Sequence, residues 1–185
     1  MKILYYDGGD HVKGRLVQSI MKTENIPLAM IHSNQGCATI AELLEDHAPR
    51  HNAQPLPLFD LMVFDGFSDD AIINLSTTLR KSGVDIERKC IVTKHNRSWQ
   101  FAHLLREICD EQEYMNRISQ CRTLLLEVRT YQESDYTQES WQRYELAFMS
   151  GALLLQQEHA TKAQLDTVIQ AIHHTRDQLE KKSCL

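Results

Sequence analysis

Glycine and proline, the residues that most often end regular structure, are confined almost entirely to the first half of this chain. All four prolines (Pro27, Pro49, Pro55, Pro57) fall before residue 58. Beyond Gly83 there is one glycine, Gly151, and no proline. So long a stretch with almost no strong turn formers excludes a β meander, a disordered linker and a collagen-like repeat. Helix is what remains.

The 185 residues give one or two domains, and 42% apolar with 24% charged residues is enough apolar chain to bury a core. The longest apolar runs, such as 124–126 and 151–155, are far below the roughly 20 residues of a membrane span. Charge arrives within the first seven residues, too soon for a signal peptide, so a cytoplasmic location is expected, with no membrane partner. The five cysteines (Cys37, Cys90, Cys109, Cys121, Cys184) are then reduced thiols. Their odd number and the lack of a C-x-x-C argue against a disulfide framework or a zinc knuckle. Residues 1–97 hold 11 basic and 12 acidic side chains and residues 98–185 hold 9 and 13, without a basic stripe in either. A nucleic-acid partner is therefore disfavoured.

Up to residue 113 short apolar runs alternate with helical patterns. Strands are read over 2–7, 28–32, 61–66 and 88–93, and helices over 12–24, 39–47 and 68–81, with residues 49–57 as a linker. Leu16, Val17, Ile20 and Met21 make the apolar face of the first helix. Ile3-Leu4-Tyr5-Tyr6-Asp7-Gly8 is echoed by Leu61-Met62-Val63-Phe64-Asp65-Gly66, 58 residues on. Two βαβα halves, 1–48 and 58–113, follow, duplicated or converged. The fold class expected is α/β plus all-α: a small parallel sheet, then a three-helix bundle over 114–185. Ligands of open parallel sheets sit beyond the carboxyl ends of the strands. Asp7, Asp10 and Asp65 are thereby placed in one candidate pocket.

Phe64-Asp65-Gly66-Phe67, Lys89, and Thr93-x-x-Asn96-x-x-Trp99 followed by Leu104-Leu105-Arg106-Glu107 are similar to a bacterial α/β domain of unknown function, over residues 64–113. Ile86-Glu87-Arg88 stands where that pattern has a proline. The resemblance implies no activity. Thr93 and Asn96 lie between a strand and a helix, where such residues satisfy a turn; they are kept as candidate ligand contacts.

From residue 98 apolar residues recur at helical spacing to about 131, with the polar run 110–113 as the weakest point. Thr137 is read as the cap of the next helix, and Thr161-x-x-Gln164 as a capping box before a seam of Leu165, Val168, Ile172 and Leu179. Tyr136-Thr137-x-x-Ser140-Trp141-x-x-Tyr144-x-x-Ala147, Ala160-Thr161 and that seam resemble the FIVAR module over 117–182. The resemblance implies a three-helix fold; Gly151 and Thr175 replace its usual alanines.

Catalytic and metal sites are not expected. His173 and His174 are about 100° apart on a helix, and Pro49 separates His47 from His51. Gly8-Gly9 and Gly14 lack the spacing of a dinucleotide fingerprint and the Lys-Ser/Thr of a phosphate loop. Asp7, Asp10 and Asp65 resemble the acidic cluster of receiver domains, but the adjacent Thr93 and Lys94 would point to opposite faces of a strand. The function expected is a non-catalytic protein-interaction or regulatory module without cofactor, with a protein partner and a self-association seam along 98–131. The alternative is a small-molecule or phosphate-binding, receiver-like domain near Asp7 and Asp65.

Overall fold

The computed structural model describes residues 1–52, 55–86 and 88–182. Cys184 and Glu87 lie outside them. Among the described residues the order is β1 (Lys2–Tyr6), α1 (His11–Thr23), β2 (Leu28–Ile31), α2 (Ile40–Leu44), β3 (Leu61–Asp65), α3 (Asp69–Lys81), β4 (Arg88–Ile91), α4 (Phe101–Glu127), α5 (Gln138–Leu154) and α6 (Lys162–Asp177). The chain divides into two compact units, Met1–Cys109 and Asp110–Leu185.

The sheet runs β2-β1-β3-β4 and is mixed, not parallel. β1–β2 and β3–β4 are parallel, but β1–β3 is antiparallel, with Lys2 opposite Asp65 and Tyr6 opposite Leu61. The reversal comes from the linker. α2 carries the chain back to the amino end of β1, where the Lys2 ammonium bonds the Leu44 carbonyl (2.7 Å) and the Asp46 carboxylate (2.8 Å). The described residues of the linker, 47–52 and 55–59, lie toward the carboxyl end. There the Cys37 N–H donates to the His51 carbonyl (3.1 Å), the Gly36 N–H to Asn52 Oδ1 (2.5 Å), and the Tyr6 hydroxyl to the Pro57 carbonyl (3.0 Å). β3 starts where β1 stops, so it runs against it.

Side chains alternate between two cores. Leu4, Tyr6, Leu61 and Val63 meet α2 and the start of α4 through Ile40, Leu43, Phe101 and Leu105. Ile3, Tyr5, Met62 and Phe64 meet α1 and α3 through Val17, Met21, Leu75 and Leu79. Leu16, expected on the apolar face of α1, is exposed. The halves mirror one another about the β1–β3 pair, and the Ile40 N–H bonds the Trp99 carbonyl (3.0 Å) as the Phe101 N–H bonds the Ala38 carbonyl (2.8 Å). The echo of Ile3 with Leu61 is one residue out of phase, because those two side chains face opposite cores.

α4 begins at Phe101, after a 3-10 turn at Asn96–Ser98, and passes unbroken through residues 110–113. The second unit is helical. Its core joins Cys121 and Leu124 of α4, Tyr144, Ala147 and Leu154 of α5, and Leu165, Ile169 and Ile172 of α6. Gly151 lets α5 approach closely: a methyl there would lie 3.0 Å from Val168 Cγ1. Thr161 and Gln164 form a reciprocal capping box. Thr137 makes no side-chain cap; its hydroxyl donates to the buried Ser140 hydroxyl (2.9 Å) instead. α6 ends at Asp177, so Leu179 lies beyond it.

Candidate functional site

The carboxyl ends of β1 and β2 open into a cleft of about 460 Å³, lined among others by Asp7, His11, Arg15, Gln18, Met30 and His32. Asp10 caps α1, its Oδ1 accepting the Lys13 N–H at 3.0 Å. Asp7 accepts the Gly9 N–H (3.0 Å) and meets His11 Nδ1 (2.8 Å). Burial pushes the Asp7 pKa up, but the Gly9 N–H and His11 outweigh it and hold the carboxyl below its ordinary value. Behind the cleft, the Lys13 ammonium pairs with the Asp60 carboxylate at 2.6 Å. Burial first, then the Asp60 charge, raise the pKa of the Tyr5 hydroxyl.

Asp65 lies elsewhere. The antiparallel register puts it beside Lys2, at the far end of β1 from Asp7. Five residues separate those ends, roughly 17 Å at about 3.3 Å each, so the single pocket expected from Asp7, Asp10 and Asp65 does not form. Asp65 meets the Arg97 guanidinium at 3.3 Å. Thr93 and Asn96 lie toward the Asp65 end and bond each other: the Thr93 N–H donates to Asn96 Oδ1 (2.8 Å), and the Asn96 N–H to Thr93 Oγ1 (3.2 Å). Asn96 Nδ2 also donates to the Ile91 carbonyl (2.9 Å). Asn96 is buried, and its polar atoms are spent on the turn. Among the described residues no three His, Cys, Asp or Glu side chains form a group that could hold a metal ion.

The two edges of the sheet differ. β4 carries Arg88 and Lys89, and its Ile91 carbonyl is capped by Asn96. Charged side chains and capped carbonyls discourage further strand pairing. β2 carries Leu28, Ala29, Met30 and Ile31, with neither charge nor proline. A second cleft, about 310 Å³, lies on its other side, lined by Ala29, Ile31, Gln35, Leu43, Asp46 and Arg50 among others. Met30, Ile31 and His32 border both clefts. Arg15 and Arg50 flank β2 from opposite faces, and neither has an acidic partner among the described residues.

Arg15, Arg50 and the β2 edge were not legible as a site. Arg15 sits on the polar side of an amphipathic helix, where a solvated cation is the ordinary reading, and Arg50 sits in a linker. Only the place of β2 in the strand order makes the pair informative.

Residues 60–115, from the start of β3 into α4, match a family described as a domain of unknown function, DUF3783. This fits the unknown-function domain expected over much of that segment. No curated protein and no solved structure matches the chain. No helix among the described residues is long and apolar enough to cross a membrane.

Proposed function

We propose that this chain is a non-catalytic protein-interaction module, and that the β2 edge is where it makes contact. The observation that carries the reading is the contrast between the edges of one sheet: β4 carries Arg88 and Lys89, while β2 is apolar between two clefts, and only past its end is an outer N–H, that of His32, taken by Gln35 Oε1 (2.8 Å). An unguarded apolar edge invites any strand that meets it, so its retention makes sense where a partner covers it.

The phosphate-binding alternative is weaker on chemical grounds. A phosphate at a helix start uses backbone N–H groups and the positive end of the helix dipole. Asp7 and Asp10 already occupy the Gly9 and Lys13 N–H groups with carboxylates, and a second anion there meets like charge.

The same reading takes the helical unit as a three-helix, FIVAR-like bundle in a cytoplasmic bacterial protein. The core shared by α4, α5 and α6 supports the bundle. Self-association along α4 belongs to the reading too, supported by the exposed Met115 and Leu126.

Two measurements test it. A photo-crosslinker at Gln18, which lines the first cleft, is expected to give a protein adduct of defined mass in cells; no adduct overturns the interaction reading. Thermal-shift titration with inorganic phosphate, nucleotides and divalent ions is expected to leave the melting temperature unmoved. A shift that vanishes in Asp7→Ala would replace this reading with the ligand-binding one.

A further inference from the structure

We propose that β2 accepts an extended acidic segment of a partner protein as an added strand, with neighbouring acidic side chains of that segment held by Arg15 on one face and Arg50 on the other. The proposal rests on the interaction reading above and names the chemistry of the occupant.

Three observations lead to it. β2 ends the sheet, with β1 on one side only, and in a parallel pair alternate residues turn their N–H and C=O groups to the inner and outer sides. The Ile3 N–H bonds the Pro27 carbonyl at 2.9 Å, which sets the inner row at Pro27, Ala29 and Ile31. The outer row is therefore Leu28 and Met30. Added strands are held through such a row, while flanking pockets take alternate side chains.

Those pockets are present on both faces. The larger lies against Gly14, Arg15 and Gln18 of α1 at the carboxyl ends of β1 and β2, where it also reaches Tyr6 and Ile31, and the smaller lies against the end of α2, beside Leu43. Consecutive side chains of an extended peptide point to opposite faces. Two adjacent residues of the segment therefore enter the two clefts.

Charge selects the side chains. The whole chain carries a net −5, yet the cations bordering β2 are Arg15 and Arg50, with Lys22 seven residues beyond Arg15 on the same face of α1. All three are exposed, and none has an acidic partner among the described residues. Asp7 and Asp46, the acids in the clefts, are held by His11 and Lys2. The rim is complementary to paired carboxylates. A second copy joined through β2 would set two such cationic rims against each other, so the occupant is an acidic segment from another protein.

The test uses the full chain and a fluorescein-labelled octapeptide of alternating valine and threonine with a central Glu-Glu pair. Its controls carry Gln-Gln or Lys-Lys at the centre. Anisotropy is expected to show binding of the Glu-Glu peptide that weakens as salt is raised, with the Gln-Gln peptide weaker by about tenfold or more at low salt. Hydrogen exchange at saturation is expected to slow at the Leu28 and Met30 N–H groups. Arg15→Glu and Arg50→Glu are each expected to weaken binding about tenfold. The double variant should bind the Lys-Lys peptide instead, an exchange that a misfolded protein cannot produce.

Equal binding of the Glu-Glu and Gln-Gln peptides overturns the proposal, as does binding without protection of Leu28 and Met30. So does a concentration-dependent dimer that protects those amides without peptide, which would make the occupant a second copy. A Gln18 crosslink that persists unchanged in the Arg15→Glu, Arg50→Glu double variant would leave the interaction reading standing while removing the acidic segment.

Discussion

Gly8 carries a left-handed φ of 61°, and a methyl group on it would lie 2.5 Å from the Phe59 carbonyl carbon. Both facts forbid a side chain, because Phe59 belongs to the returning linker and cannot retreat without pulling β3 out of register. Gly8→Ala is expected to cost about 2 kcal/mol or more, from the left-handed penalty of about 1–2 kcal/mol and the clash together; urea unfolding measures it. Asp7 gives a pH-dependent prediction. Its folded pKa is depressed, so it stabilises the fold above the unfolded value of about 3.9, and the contribution is lost as pH falls through the lower folded value. Asp7→Asn should therefore be less stable than wild type at neutral pH, with the gap closing as acid protonates Asp7. Unfolding midpoints of the two proteins, followed across that range, check the sign.

Elements were more legible than their arrangement. The spacing of Thr161 and Gln164 announced a capping box, and Thr161→Ala is expected to cost about 1 kcal/mol in thermal or urea unfolding. Thr137 carried a similar signal, but its hydroxyl went to Ser140, which no local rule foretells. The polar run in α4 read as a weak point because its partners are distant in sequence. Asp110 and Glu113 meet the Lys162 ammonium at 2.8 and 3.2 Å, and Arg117 meets Asp166 at 2.8 Å. The run is the polar side by which α4 faces α6. The parallel sheet was expected because strands joined by helices are usually parallel. The direction of β3 was decided instead by the linker between α2 and β3, whose return no periodicity encodes. That reversal is also why Asp7 and Asp65, alike in sequence, make no common site.

At the scale of the molecule, the two tryptophans serve as separate reporters. Trp99 packs on the core of the first unit and Trp141 on the core of the second. Followed in Trp141→Phe and Trp99→Phe proteins, urea unfolding is expected to give two midpoints, one for each core; superimposable curves would mean that the units unfold together. The antiparallel centre of the sheet has a further consequence during synthesis. β1 acquires β2 once residue 31 is made, but its other side stays open until β3 is complete at Asp65. That is 65 − 31 = 34 residues later, or roughly 2–7 s at about 5–20 residues per second. Throughout that interval β1, with Ile3, Leu4, Tyr5 and Tyr6, is paired on one side only, and this is when ribosome-bound chaperones have the most to hold.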